Sequence, residues 1–299
     1  MGKILITGAT GKLGSAVVRS LVRKVPASDV VALVREGSKA QWLSDLGVEV
    51  RLGDYTGVES LVNAFAGVEK IYLVSAVAFS DRVGQHRNVI HAARMAGVRH
   101  VFYTSIQRVS DDYCPIEGVT ASDLETEAML KSSGLDYTIV RHPLYADVLA
   151  MYIGKDAPQK GFSAPAGQGR VALTNIDELA EGGATLLSQP GHEHRAYLLN
   201  SGQTWSFADI AAALSRITGK AVHYQPISTG TFIAAREAEG WPPHVATFIG
   251  DWYRAIEKGA FDQTSRTLEE LLGRKPKDLE DIRRAASTPR RLSGPPYSP

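Results

Sequence analysis

Across residues 1–142, short runs of β-branched and aliphatic residues alternate with segments whose apolar positions recur every three or four residues. The runs are Lys3–Thr7, Val30–Val34, Val48–Leu52, Lys70–Val74, Val101–Thr104 and Tyr137–Arg141. They are short and mostly apolar, which suits parallel strands buried on both faces. Between them, Leu13–Lys24 sets Leu13, Val17, Val18, Leu21 and Val22 along one stripe, the spacing of an amphipathic helix. Ser38–Leu46, Val58–Phe65, Gln85–Ala96 and Ser122–Ser132 read as further helices, each followed closely by a glycine that can end it. Repeated strand–helix units of this length predict an α/β fold with a doubly wound parallel sheet, of Rossmann type.

The rhythm changes at His142-Pro143. Residues 143–175 carry Gly154, Pro158, Gly161, Pro165, Gly167 and Gly169, a loop-rich stretch. Beyond it, Asn175–Leu187 and Ser206–Thr218 read as helices, the second opened by a Ser206 cap with Asp209 three residues on. Ala196–Leu199 and Val222–Gln225 read as strands, with helices filling 228–285. No complete βαβ series appears here. The expected organisation is a Rossmann-type domain over 1–142, to which later strands contribute, and a smaller C-terminal α/β lobe over 143–285. The lobe is expected to pack at the carboxyl end of the sheet. A tail at 286–299, bearing prolines, serines and arginines, is expected to be disordered.

Charge narrows the function classes. Against 33 basic residues stand 32 acidic ones, for a net charge of +1, so no strong positive field exists for nucleic acid. The single cysteine, Cys114, allows no intrachain disulfide and fits a reducing compartment. No apolar run has the length of a signal peptide core or a membrane span. The expectation is a cytoplasmic monomer or homodimer with neither nucleic-acid nor membrane partners.

The first chemistry lies at Thr7-Gly8-Ala9-Thr10-Gly11-Lys12-Leu13-Gly14. It follows a strand and opens a helix, the context a dinucleotide-binding turn requires. Gly8 allows the tight turn, Gly11 lets the backbone approach a pyrophosphate, and Gly14 lets helix and strand pack closely. The amides of Thr10, Gly11, Lys12 and Leu13 then sit near a helix N-terminus that favours phosphate. Thr10 stands before the second glycine, so the spacing differs from the common G-x-G-x-x-G. Cofactor choice turns on the end of the second strand, where an acid selects NAD and a cation accommodates the 2′-phosphate of NADP. Arg35 holds that position, with Lys39 nearby and Glu36 as the competing acid. NADP(H) is therefore expected over NAD(H). Asp54 after the third strand and Ser75 after the fourth are expected near the adenosine.

The catalytic machinery of common short-chain dehydrogenases is missing. Four residues after Tyr55, Tyr103, Tyr113 and Tyr137 come Glu59, Gln107, Glu117 and Arg141, and no tyrosine has lysine there. The helix that would carry such a pair, Ser122–Leu130, is acidic. Either the protein only binds the nucleotide, or its acceptor needs no strong proton donor. A quinone meets that condition because its reduced anion is stabilised, and a cationic or azo dye could also take hydride with little acid help. Catalytic residues are thus unassigned. Candidates for an acceptor pocket lie at strand ends: Phe79, Ser105, Ile106, Gln107, His142, Pro143 and Tyr145. Ser105 and Pro143 are also expected at the cofactor. His86, His91, His100 and the pair His192 and His194 form no convincing ligand pattern, so no metal is expected.

These residues resemble the NmrA-like branch of atypical short-chain dehydrogenases, and within it the quinone-reducing and triphenylmethane-reducing members. The signatures are Ile6–Gly14, Val25-Pro26-Ala27-Ser28, Val34-Arg35, Gly53-Asp54-Tyr55, Gln85–Ile90, Tyr103-Thr104-Ser105, Glu125-Thr126-Glu127 and Trp205-Ser206-Phe207. The likeness covers about residues 3–285. It implies NADPH, with Arg35 facing the 2′-phosphate, and reduction of a quinone or similar small-molecule electron acceptor. In that branch the missing Tyr-x-x-x-Lys pair is normal. Alternatives in the same branch are a non-catalytic NADP(H) redox sensor that binds a regulator, and a triphenylmethane or azo dye reductase. The chain departs from the pattern at Lys12, at Asp123 and at His142-Pro143-Leu144, all around the expected pocket.

Overall fold

The computed structural model describes residues 2–281, so the 286–299 tail lies outside the described residues. Seven parallel strands form the central sheet, in the order β10-β6-β5-β4-β1-β2-β3. Six come from the first half: β1 (Lys3–Ile6), β2 (Val30–Val34), β3 (Glu49–Leu52), β4 (Val68–Leu73), β5 (His100–Ile106) and β6 (Asp136–His142). Ile4, Leu5 and Ile6 are all fully buried, and so is nearly all of β2 and β5, because helices cover both faces. Each such side chain contributes roughly 1.5–3 kcal/mol by leaving water.

The helices between these strands are α1 (Lys12–Leu21), α2 (Gln41–Asp45), α3 (Val58–Phe65), α4 (Arg82–Met95) and α5 (Thr120–Ser132). α4 starts three residues before the sequence pattern suggests, because the Asp81 side chain caps it by accepting from Gly84 N at 2.9 Å. The expected helix over 38–46 is broken: a 3₁₀ turn spans Gly37–Lys39, and α2 resumes after Ala40.

Beyond β6 the chain leaves the sheet and returns. Short elements β7 (Leu144–Tyr145), α6 (Leu149–Ile153), α7 (Ala157–Lys160), β8 (Phe162–Ala164) and β9 (Arg170–Thr174) begin the second lobe. Then α8 (Ile176–Ser188) packs on α1, and β10 (Arg195–Leu198) pairs with β6 from Arg195↔Thr138 to Leu198↔Arg141. The sheet is therefore completed by a strand from the sequence half expected to form the lobe. The lobe proper continues with β11 (Thr204–Ser206), α9 (Phe207–Thr218), β12 (Tyr224–Pro226), α10 (Thr229–Ala238), α11 (Pro243–Glu257) and α12 (Thr267–Leu272). Its strands form two small sheets, β11-β9-β7 and β12-β8. α9 opens with the expected Ser206–Asp209 capping box. Three apolar clusters result: one under α1 and α8, one under α3, α4 and α5, and one inside the lobe around Phe207, Phe232 and Tyr253.

Candidate functional site

Because all seven strands are parallel, their carboxyl ends share one edge, and every candidate residue falls along it. Gly8 turns the chain after β1 with a φ of 56°, a left-handed conformation that costs glycine nothing. A Cβ at Gly14 would lie 2.2 Å from the Gly8 carbonyl oxygen, so α1 can sit this close to the turn only with glycine there. Gly11 N donates to Gly8 O at 2.9 Å and closes the turn. α1 then begins at Lys12 with no side chain capping it and no acid in its first turn. Its first amides and the positive end of its dipole are offered outward at the exposed Thr10, Gly11 and Lys12. Leu13 is buried and contributes packing. This arrangement fits a dinucleotide pyrophosphate.

The turn is tied to its neighbours. The Thr7 hydroxyl accepts from Val74 N at 2.9 Å and donates to Tyr72 O, while Tyr55 Oη donates to Val74 O at 2.8 Å. At the far end of the edge, Arg35 emerges exposed from β2. Asp54, just past β3, accepts from Thr56 N at 2.7 Å and from its hydroxyl at 2.6 Å. Those bonds, helped by the charge of Arg35, hold its carboxyl below the usual range. Leu52 beside it is 62% exposed, an apolar surface suited to a purine face.

The β4–α4 loop, residues 74–81, is held more tightly than its exposure suggests. Ser75 N donates to Thr104 Oγ1 at 2.8 Å. Ala76 is gripped at both polar groups: its N–H donates to His86 Nε2 at 2.9 Å, and its carbonyl accepts from Arg82. His86 Nε2 is thus an acceptor, so its Nδ1 carries the proton toward Thr126 Oγ1 at 2.8 Å. Burial, with Arg82 adding to it, pushes the His86 imidazole down to about 3, so the ring stays neutral. Past this clamp, Val77 is exposed and Phe79 is half-exposed, its ring edge-on to His244 at 5.1 Å and Phe248 at 5.0 Å across the lobe.

α5, which carries no Tyr-x-x-x-Lys pair, is locked by buried charge. Asp123 pairs with Arg82 and accepts from Tyr103 Oη at 2.6 Å. Glu127 accepts two hydrogen bonds from Arg108, at 2.9 Å each, one from Arg141 at 3.1 Å and one from Ser105 Oγ at 2.7 Å. Burial alone would raise the Glu127 carboxyl, but Arg108, Arg141 and Ser105 outweigh it and hold it down at about 2. The Ser105 hydroxyl, expected at the cofactor, is therefore spent on Glu127. Along β5, Tyr103 and Ser105 face α5, whereas Phe102 and Ile106 face the other way. Ile106 is 7% exposed and joins the lobe's core.

The last wall is the segment after β6. Pro143 is buried, and Tyr145 Oη lies 3.1 Å from His142 Nδ1. Two residues on, Asp147 accepts from Ile176 N at 2.8 Å at the start of α8, and burial raises its carboxyl above the usual range against the pull of that bond. Gln107, buried, fastens the lobe by donating to Phe261 O and Gln263 O at 3.2 Å each. The sequence pattern gave no role to Arg82, His86, Glu127 or Asp147. The Gln85–Ile90 and Glu125–Glu127 signatures contained His86 and Glu127 but carried no hint of their partners. Among the described residues, no group of three metal-ligating side chains comes together.

A model of the NmrA-like family matches residues 1–282. Quinone oxidoreductase 2 of Escherichia coli (strain K12) is 38% identical over 90% of this chain and 93% of its own. The crystal structure of the NADPH-dependent Escherichia coli quinone oxidoreductase complexed with NADPH superposes with a TM-score of 0.89, at 37% identity over 95% of this chain and all of that one. Triphenylmethane reductase of Citrobacter sp., complexed with NADP(H), gives a TM-score of 0.86 at 36% identity, covering 95% of this chain and 99% of that one. An NAD(P)H azoreductase of Xenophilus azovorans is 30% identical over 94% of this chain and 97% of its own.

Proposed function

The chain belongs to the NmrA-like family, and from that premise we propose that it is an NADPH-dependent reductase delivering hydride to a quinone or a similar small-molecule acceptor. The observation that carries this reading is the uncapped N-terminus of α1 behind Gly8–Gly14, with Arg35 at the end of β2. The first provides donors for a pyrophosphate, and the second is a cation where a 2′-phosphate would lie. Asp54, Leu52, Ser75 and the backbone of Ser105 line the remaining course of the nucleotide. The bound nicotinamide would supply the hydride. The protein supplies position: the clamped Ala76, with Phe79, Ile106, Pro143 and Tyr145, walls a flat site at the carboxyl edge. We place the protein in the cytoplasm on its single cysteine. No described helix is long and apolar enough to cross a membrane.

The test is the decay of NADPH absorbance with a benzoquinone, a cationic triphenylmethane dye and an azo dye, each repeated with NADH. Turnover that favours NADPH supports the reading. Tight NADPH binding with no turnover on any of the three would instead mark a redox sensor.

A further inference from the structure

A groove of about 550 Å³ lies between α1 and α8 and shares no residue with the glycine loop. Its size is typical of small-molecule sites. α1 contributes Arg19, Ser20 and Arg23, which a spacing of three and four residues sets on one helix face. α8 contributes three acids, Asp177, Glu178 and Glu181, and the segment after α12 adds Arg274 and Lys277.

These charges divide into spent and unspent. Arg274 donates to Glu178 Oε1 at 2.5 Å and to Glu181 Oε2 at 2.7 Å. Glu178, buried, also accepts from Lys277 N at 3.0 and 3.1 Å. Both glutamates are thus answered within the chain. Asp177 stands in the first turn of α8, where the helix dipole favours a carboxylate. Against it stand Arg19, Arg23 and Lys277, whose side chains pair with no carboxylate among the described residues. The Arg19 guanidinium lies 4.2 Å from the ring centroid of Trp42, a contact that fixes its plane and leaves its N–H groups for an acceptor. Arg23 donates to Ser20 Oγ at 3.1 Å, so the serine oxygen faces the groove that both residues line. Ser20 is 4% exposed, and its hydroxyl proton has no acceptor among the described residues. A buried O–H left without an acceptor is costly, and a bound acceptor removes that cost.

We propose that this groove is an anion site, distinct from the cofactor edge, which takes the phosphate of a small molecule. Arg19 and Arg23 present planar forks to the phosphate oxygens, the Ser20 hydroxyl donates from the floor, and Lys277 adds a point charge. Charge favours phosphate over a single carboxylate. Three free cations against Asp177 leave two positive charges, and a phosphate monoester carries about −1.5 to −2 at neutral pH. The last residues of the chain, 282–299, offer no acidic side chain to fill the groove. The site stands independently of the reductase reading.

The test is calorimetric titration of the full chain with inorganic phosphate and with a hexose monophosphate, at constant ionic strength. Saturating NADPH keeps the glycine loop and Arg35 occupied. One saturable site is expected. Arg23→Ala should weaken it about tenfold, as should Lys277→Ala, each removing a charge-assisted contact. Arg23→Lys, which keeps the charge, should lose less. Both positions are exposed, so circular dichroism of the variants should match the wild type. Arg35→Ala should leave the affinity unchanged. Tighter binding of the ester would identify an organic phosphate as the ligand, and tighter binding of the free ion would identify inorganic phosphate. The proposal is overturned by three results: no saturable binding, binding that survives both alanine variants, or binding lost in Arg35→Ala. If NADPH itself failed to bind, the reductase reading would fall, while the same titration of the cofactor-free protein would still judge the groove.

Discussion

Two regions along one sheet edge treat their polar groups in opposite ways. Around α5, every charge is answered within the chain: Asp123 by Arg82, and Glu127 by Arg108, Arg141 and Ser105. At the glycine loop, α1 starts with no side-chain cap, and Arg35 stands exposed beyond β2. In the first region the donors and acceptors are consumed by folding. In the second they are held in place and left for something else. The difference separates structural polarity from a binding surface more sharply than residue type does, since arginines occur in both. It also shows what the acidic α5 does with its carboxylates: they tie the helix to α4, β5 and β6.

Breaking the closed region should have the largest effect. Glu127→Gln leaves Arg108 buried beside a weaker acceptor and should cost about 3–5 kcal/mol in urea unfolding. The same carboxyl predicts a pH signature. Its folded value of about 2 lies below the ordinary 4.5, so its contribution is complete above pH 4.5 and disappears as pH falls toward 2. The wild type should weaken across that window, and Glu127→Gln should lose this part of the pH dependence.

The open region should respond in ligand binding more than in folding. Gly14→Ala drives a Cβ against the Gly8 carbonyl, and should lower stability by roughly 1–3 kcal/mol while abolishing measurable NADPH binding by fluorescence titration. Arg35→Ala removes a charge-assisted contact worth roughly 1.5–3 kcal/mol, so KM for NADPH should rise about tenfold or more while KM for NADH barely moves. Equal losses for both cofactors would move the 2′-phosphate away from Arg35. The smallest effect belongs to Arg87 and Glu125, paired at 3.3 Å but more than half exposed. Replacing both by alanine should change stability by less than about 0.5 kcal/mol, which would confirm that burial rather than charge marks the α5 clamp.

Much of this was legible in the residues alone. The apolar runs located six strands to within two residues, because a strand buried on both faces needs apolar side chains at successive positions; the edge strand β3, where Glu49 and Arg51 alternate with Val50 and Leu52, is only partly covered. Gly8 and Gly14 announced the turn because two local demands, a left-handed φ and a close helix approach, can be met only by glycine. Arg35 and Asp54 were placed by counting strand ends. Ser105 shows the limit of such counting: periodicity says that it opposes Ile106 across the strand, but not which face meets the cleft.

What tertiary structure alone decided is pairing between distant positions. Nothing near Glu127 in the chain names Arg108 or Arg141 as its partners, and nothing near Ala76 names His86 and Arg82 as its clamp. Nor does the pattern reveal that 195–198 returns to extend the sheet beside β6. Local sequence determined the elements and the glycine turn, because backbone preference and side-chain burial are set residue by residue. The partners of buried polar groups were settled only by folding, because a desolvated charge is satisfied by whatever the packed chain brings within hydrogen-bond reach.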